Sequence, residues 1–215
     1  AGFSPSGVRY VINSHDHADH VAGNALAPTP AAVITAASLA APPPGLPVSR
    51  QPEPLEGRSG RTLPAPYPLR AGGADILLVP RPGLHSAADL IVYFPKESVV
   101  AMGDLLLSER SPAVADVAGY LAFLEDVLDV FPEITTFVSG HGRDLTAAGV
   151  KAYRDTLNAM IGIVRTNVAA GRTAEQMVQD DVLKAYKAQY SLLEFLTPDA
   201  LVPRVGNALK QGTLK

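Results

Sequence analysis

The chain has 215 residues and a mass of 22.5 kDa, with 47% of them hydrophobic and 18% charged, so it can bury a core and is too apolar for disorder. Eighteen Lys and Arg against 21 Asp and Glu give a net charge of -3, which leaves no positive surplus for nucleic acid or an anionic membrane. The absence of Cys excludes disulfides, thiolate zinc sites and thiol nucleophiles, so any metal must be held by His and carboxylates.

Residues 8–13 (VRYVIN) are β-branched and aromatic after Pro5 and Gly7, which predicts a strand. Residues 25–41 are Ala-rich with Val33, Ile34 and Leu39 inside, which predicts a short strand and helix stacked on the first strand. Residues 42–70 hold Pro42, Pro43, Pro44, Pro47, Pro52, Pro54, Pro64, Pro66 and Pro68. That density predicts a long loop or irregular arm, either a surface excursion or a flap over a site. Residues 76–80, 90–94 and 99–102 are apolar strands of a sheet. Residues 116–131 place Val117, Leu121, Leu124, Leu128 and Phe131 on one helical face, with Pro132 as the stop. A strand over 134–138 runs into Ser139-Gly140-His141-Gly142. Beyond it Tyr153, Leu157, Met160, Val164 and Val168 repeat at helical spacing, and Thr173 with Gln176 makes a capping box for a helix to about Tyr190. The organisation expected is a core over residues 1–150 with a helical extension over 151–215 packed on it. No internal repeat is visible. No apolar run approaches the roughly 20 residues of a membrane span, and AGFSPSG is too short and polar for a signal peptide. A soluble protein is expected, cytoplasmic or exported after leader removal.

The five His of the chain are His15, His17, His20, His85 and His141. Three of them fall in H-x-H-x-D-H, a pattern expected by chance about 0.003 times in such a chain. In extended chain His15 and His17 share a side and can converge on one ion. Asp19 and His20, at a turn into a helix, can swing toward a second ion beside the first. His85 and His141 each lie just past an apolar strand, and Asp104 lies at the end of VVAM, so a sheet can bring all of these groups to one place. A His and carboxylate set suits a zinc-type ion better than calcium or magnesium, with iron or manganese compatible. Asp104 is assigned as a carboxylate bridging two ions about 3.5–4 Å apart, with an activated water between them.

His15-Asp16-His17-Ala18-Asp19-His20, His85-Ser86-Ala87-Ala88-Asp89, Gly103-Asp104 and Ser139-Gly140-His141-Gly142 resemble, in order and spacing, the signature of the metallo-β-lactamase-fold superfamily. The resemblance covers about residues 8–142. It implies an α/β fold, an αβ/βα sandwich with the metals at one edge and a helical C-terminal tail. It implies a first zinc on His15, His17 and His85, a second on Asp19, His20 and His141, and Asp104 bridging them, with Asp19 and Asp104 as the catalytic carboxylates. Two departures stand out. HSAAD replaces a pattern that often has Thr after the His and Gly before the Asp. Only fourteen residues precede the motif, where members usually have several strands, so the N-terminal strands are expected to be curtailed and exposed edges to favour self-association, or a missing segment to supply the rest.

Smaller candidates are Asp16 and Asp89 as supporting carboxylates, against a solvated and a structural turn role respectively, Ser86 and Asn24 as polar contacts to ligand or substrate, and Tyr67 as an oxyanion donor if the Pro-rich stretch is a flap, against a packed or exposed Tyr. Tyr186, Tyr190, Phe195 and Leu196 are expected to pack the final helices. The function implied is a dinuclear zinc hydrolase opening a β-lactam, lactone, ester or thioester of a small-molecule substrate. The lack of a Cys at the Gly103-Asp104 position argues against lactamases with a Cys ligand. An iron-binding oxidoreductase and an inert metal-binding module are the other classes, and the charge disfavours a nuclease.

Overall fold

A computed structural model of the chain describes residues 7–40, 53–190 and 197–214. The expected α/β fold is present. Strand β1 (Tyr10–Ile12) leads into a helical turn α1 (Ala18–Val21) and returns as β2 (Ala32–Ile34), which pairs with β1 in parallel, Val11 opposite Val33. Helix α2 (Ala36–Ala40) follows, its start closed by reciprocal bonds between Thr35 and Ser38. This is the strand and helix expected from the Ala-rich stretch.

The Pro-rich region departs from its reading. Residues 42–52 lie outside the described residues. The remainder holds a two-stranded hairpin, β3 (Leu55–Glu56) with β4 (Thr62–Leu63), and a full strand, β5 (Tyr67–Ala71), in place of a loop. Pro68 is tolerated because β5 is the outermost strand of its sheet, where a missing ladder donor costs little. The hairpin is fastened to the helix after it in sequence, with Arg58 donating to the Leu128 carbonyl and Arg61 paired to Glu125 and Asp126.

The main sheet has six strands in the order β10, β9, β8, β7, β6, β5. Its other members are β6 (Ala74–Pro80), β7 (Leu90–Phe94), β8 (Val99–Ala101), β9 (Thr136–Val138) and β10 (Leu145–Thr146). All pairs are antiparallel except β8 with β9. That parallel step needs a crossover, supplied by α3 (Val117–Val130), whose N-cap Asp116 accepts from Gly119 N at 2.9 Å. The strand foreseen from residue 134 starts later because Pro132 to Thr135 forms a turn, Thr135 N bonding the Pro132 carbonyl.

Alternation along the strands divides two cores. Val79, Ile91, Val100 and Phe137 face α3 and the helices α4 (Ala147–Ala169) and α7 (Leu201–Lys210), whose Leu124, Leu157 and Val205 are all buried. Leu78, Leu90 and Val92 face the other way and pack on Ile34, Leu39, Tyr10 and Ile12. Helices therefore cover one face of the sheet, and the β1–β2 layer with α2 covers the other. The capping box at Thr173 and Gln176 opens α5 (Ala174–Gln179). The single helix expected to reach Tyr190 is instead two pieces. Asp181 takes φ 52°, in the left-handed region that ends a helix, and α6 (Lys184–Lys187) begins anew. Tyr186 and Tyr190 pack on the core as expected; Phe195 and Leu196 lie outside the described residues. Among the described residues no helix is long and apolar enough to cross a membrane.

Candidate metal centre

The motif residues sit at the edge of the sheet where four chain segments end. The backbone of Ser14 is tied to the first residue of β7 by Leu90 N donating to the Ser14 carbonyl at 2.7 Å. His15 follows, 2% exposed. His17 is the N-cap of α1, and the His17 carbonyl accepts from His20 N and Val21 N. That turn swings Asp19 and His20 to the same side as His15, the placement foreseen for a chain entering a helix.

His85 stands in the loop after β6. Asp89, 1% exposed, folds this loop by accepting from the backbone N–H groups of His85 and Ser86 and from the Ser86 hydroxyl at 2.7 Å. Ser86 also accepts from Ala88 N. Both side chains are engaged in shaping the loop: Ser86, a candidate polar contact, is bonded to Asp89 and Ala88, and Asp89 holds the His85 backbone. Asp104 lies in the 3-10 turn Gly103–Leu105 after β8, with Gly103 at φ 53°. Tyr120, fully buried on α3, donates its O–H to the Leu105 carbonyl at 2.9 Å and so fixes the turn beside Asp104. His141 follows β9 and bridges Leu107, while the Ser139 hydroxyl lies 2.7 Å from the carbonyls of both Leu106 and His141. Tyr120, Ser139 and the Ala113 carbonyl, which lies 3.0 Å from His85 Nδ1, were not legible as supports, because each acts through backbone distant in sequence.

The seven expected ligands come together in two groups. His15, His17, His85 and Asp104 form one; Asp19, His20 and His141 form the other; within each group one ligand atom per residue lies within 4.8 Å of all others. In the first, His17 Nδ1 is 3.1 Å from His85 Nε2. In the second, His20 Nε2 is 3.3 Å from His141 Nε2, and Asp19 Oδ2 is 3.0 Å from His141 Nε2. Asp104 divides its carboxylate between them. Oδ2 lies 3.5 Å from His85 Nε2 and 3.8 Å from His15 Nε2, and Oδ1 lies 3.2 Å from His20 Nε2 and 3.6 Å from His141 Nε2. Asp16 is exposed and outside both groups, and Asn24 lies in the 3-10 turn beyond them. Tyr67 sits in β5 against the smaller core, which removes the flap reading for it.

The donor set fits a metal pair. His15 Nε2 and Asp104 Oδ1 are sealed from solvent without a hydrogen-bond partner, a costly state for groups with nothing to bind. Two ligands on a tetrahedral zinc with bonds of about 2.0–2.1 Å stand about 3.3 Å apart, the spacing seen for both close nitrogen pairs. His85 Nδ1 is 3.0 Å from the Ala113 carbonyl. Donation there leaves Nε2 as a lone pair for the centre. Burial, then the neighbouring His20, press the His15 pKa down to about 4, so its imidazole is neutral at neutral pH and its approach to Asp104 is not an ion pair. Burial works to raise Asp19, but its backbone N–H and then His20 and His141 outweigh this and hold its carboxyl below the usual value.

The family profile described as the metallo-beta-lactamase superfamily matches residues 1–171. Among solved structures, the chain is similar to a metallo-beta-lactamase from Pontibacter korlensis, at 20% identity over 70% of this chain and 69% of that one, with a TM-score of 0.52. It is also similar to the stereoselective inverting sec-alkylsulfatase Pisa1 from Pseudomonas sp., at 14% identity and a TM-score of 0.57, over 96% of this chain and 42% of that one. The chain thus spans about two fifths of the sulfatase. At these identities the likeness is one of fold. A search of curated proteins finds no match.

Proposed function

The chain belongs to the metallo-beta-lactamase superfamily, and from that premise and the geometry of the centre we propose that it is a dinuclear zinc hydrolase that opens a carbonyl-type bond, a β-lactam amide, lactone, ester or thioester. The observation that carries this reading is the Asp104 carboxylate, 8% exposed, with one oxygen turned to each histidine group. His15, His17 and His85 would hold one ion and Asp19, His20 and His141 the other, with Asp104 shared. When bound, the zinc pair supplies Lewis acidity at the carbonyl and brings the pKa of a coordinated water to about 7.

The protein's own residues do the rest. Buried Asp104 lies between the two groups, and the neutral His15 adds no charge of its own. Asp19 has 59% of its side chain exposed and stands at the open side, ionised across the neutral range. There its outer oxygen accepts the O–H of an incoming water and aims that water at the substrate carbonyl. The loop held by Asp89 excludes water behind His85, where burial lowers the local dielectric.

The test is metal content measured beside hydrolysis of chromogenic β-lactam, lactone and thioester substrates, on the wild type and on His15→Ala. Two zinc ions per chain with turnover of one substrate class, both reduced in His15→Ala, is the expected result. Two iron ions with no hydrolysis of any substrate would overturn the proposal.

A further inference from the structure

The side chain of Ser14 has no part in the ligand set, yet it touches one ligand of each group. Its Oγ lies 3.1 Å from His15 Nδ1 and 3.3 Å from His20 Nδ1. The two imidazoles stand over it with ring centroids 4.0 Å apart and planes inclined by 47°. In both rings Nε2 is the nitrogen that faces Asp104. A ring that offers Nε2 as a lone pair while neutral carries its proton on Nδ1. Both Nδ1–H groups therefore point at one hydroxyl oxygen, which has two lone pairs to receive them.

Ser14 is itself closely held. Its carbonyl accepts from Leu90 N at 2.7 Å, which pins the residue to β7. On the other side Gly103 presses against it: a Cβ on Gly103 would stand 2.5 Å from Ser14 Cβ and 2.8 Å from Ser14 Oγ. The side chain is thus confined between the two imidazoles and the turn that carries Asp104.

We propose that Ser14 is a positioning residue shared by both halves of the centre, its single hydroxyl accepting from His15 Nδ1 and His20 Nδ1 and thereby setting the tautomer and ring orientation of one ligand in each group. The inference rests on the two-ion reading above. It differs from the arrangement at His85, whose Nδ1 is served by a backbone carbonyl for one group alone. Partners of this kind are worth about 10–100-fold in metal affinity when removed, and a shared partner must weaken both ions together.

The experiment is zinc titration against a competing chelator on the full chain, comparing wild type, Ser14→Ala and Thr146→Ala. Thr146 caps α4 away from the centre and controls for a general loss of stability. Nitrogen-15 spectra of the zinc-loaded histidines read the tautomer directly. Ser14→Ala is expected to lower both zinc affinities by about 10–100-fold and to shift the Nδ1–H signals of His15 and His20, whereas Thr146→Ala leaves affinities and signals unchanged. If the wild type binds two ions and Ser14→Ala weakens neither or only one, the shared role is overturned while the dinuclear reading stands. If the wild type binds fewer than two ions, the dinuclear reading fails and the shared role falls with it. A shift of the His15 and His20 signals equally present in Thr146→Ala also overturns the role of Ser14.

Discussion

Gly140→Ala adds one methyl group beside the Asp104 carboxylate. The new Cβ would stand 2.6 Å from the Gly103 carbonyl carbon and 2.7 Å from its oxygen, and closer still to Asp104 Oδ1. An unstrained carbon contact needs about 3.5–4.0 Å, so something must move by about 1 Å. Gly103 cannot yield easily, because its carbonyl accepts from Gly140 N at 2.9 Å and its φ of 53° already fixes the turn. The displacement falls on Asp104, whose Oδ1 has 3.2 Å to His20 Nε2. Overpacking of this size costs about 1–3 kcal/mol, or roughly 2–12 °C in melting temperature at this chain length. The same shift draws Asp104 Oδ1 away from the second group, so the zinc affinity of the second group is expected to fall while that of the first falls less. Calorimetry on the metal-free variant and zinc titration against a chelator measure the two effects. A variant that melts within about 1 °C of wild type and keeps both affinities would refute the steric argument.

Two further outcomes follow from buried groups. The pKa of His15, about 4 when folded against an ordinary 6.5, means that the folded protein binds fewer protons than the unfolded chain between those values. Stability of the metal-free protein should therefore be complete above pH 6.5 and fall as pH drops toward 4, by up to about 3 kcal/mol; denaturant melts at pH 7.5 and 5 check this, and an equal fall in His15→Gln would assign the loss elsewhere. Tyr120→Phe leaves the buried Leu105 carbonyl without its donor and should cost about 1–2 kcal/mol, read as a drop in melting temperature; no drop would show that the bond contributes nothing to the turn.

Much of the site was legible in the sequence because its side chains carry their chemistry in residue type. The five histidines and two aspartates, each just past an apolar strand or opening a helix, are the groups that the fold gathers into two clusters, and the strand over Leu90–Phe94 and the Thr173 capping box emerged as expected. The supports were not legible. Ser14 and Ser139 are common residues whose roles depend on which groups the fold brings near, and Tyr120 was not among the residues read as the apolar face of α3, although it is fully buried. The Pro-rich stretch misled for a related reason. Proline forbids a central strand but not an outer one, and that β5 lies at the sheet's edge is a fact of topology, not of composition. The break at Asp181 likewise depends on a local left-handed turn, beside which Lys187 pairs with Asp181 and Asp199.

Whether Asp104 stands between two ion sites is read from anomalous diffraction at the zinc edge on zinc-loaded crystals. Two peaks per chain are expected, on either side of the Asp104 carboxylate, one among His15, His17 and His85 and one among Asp19, His20 and His141. A single peak, or imidazoles turned to other partners with no ion among them, would contradict that placement of Asp104.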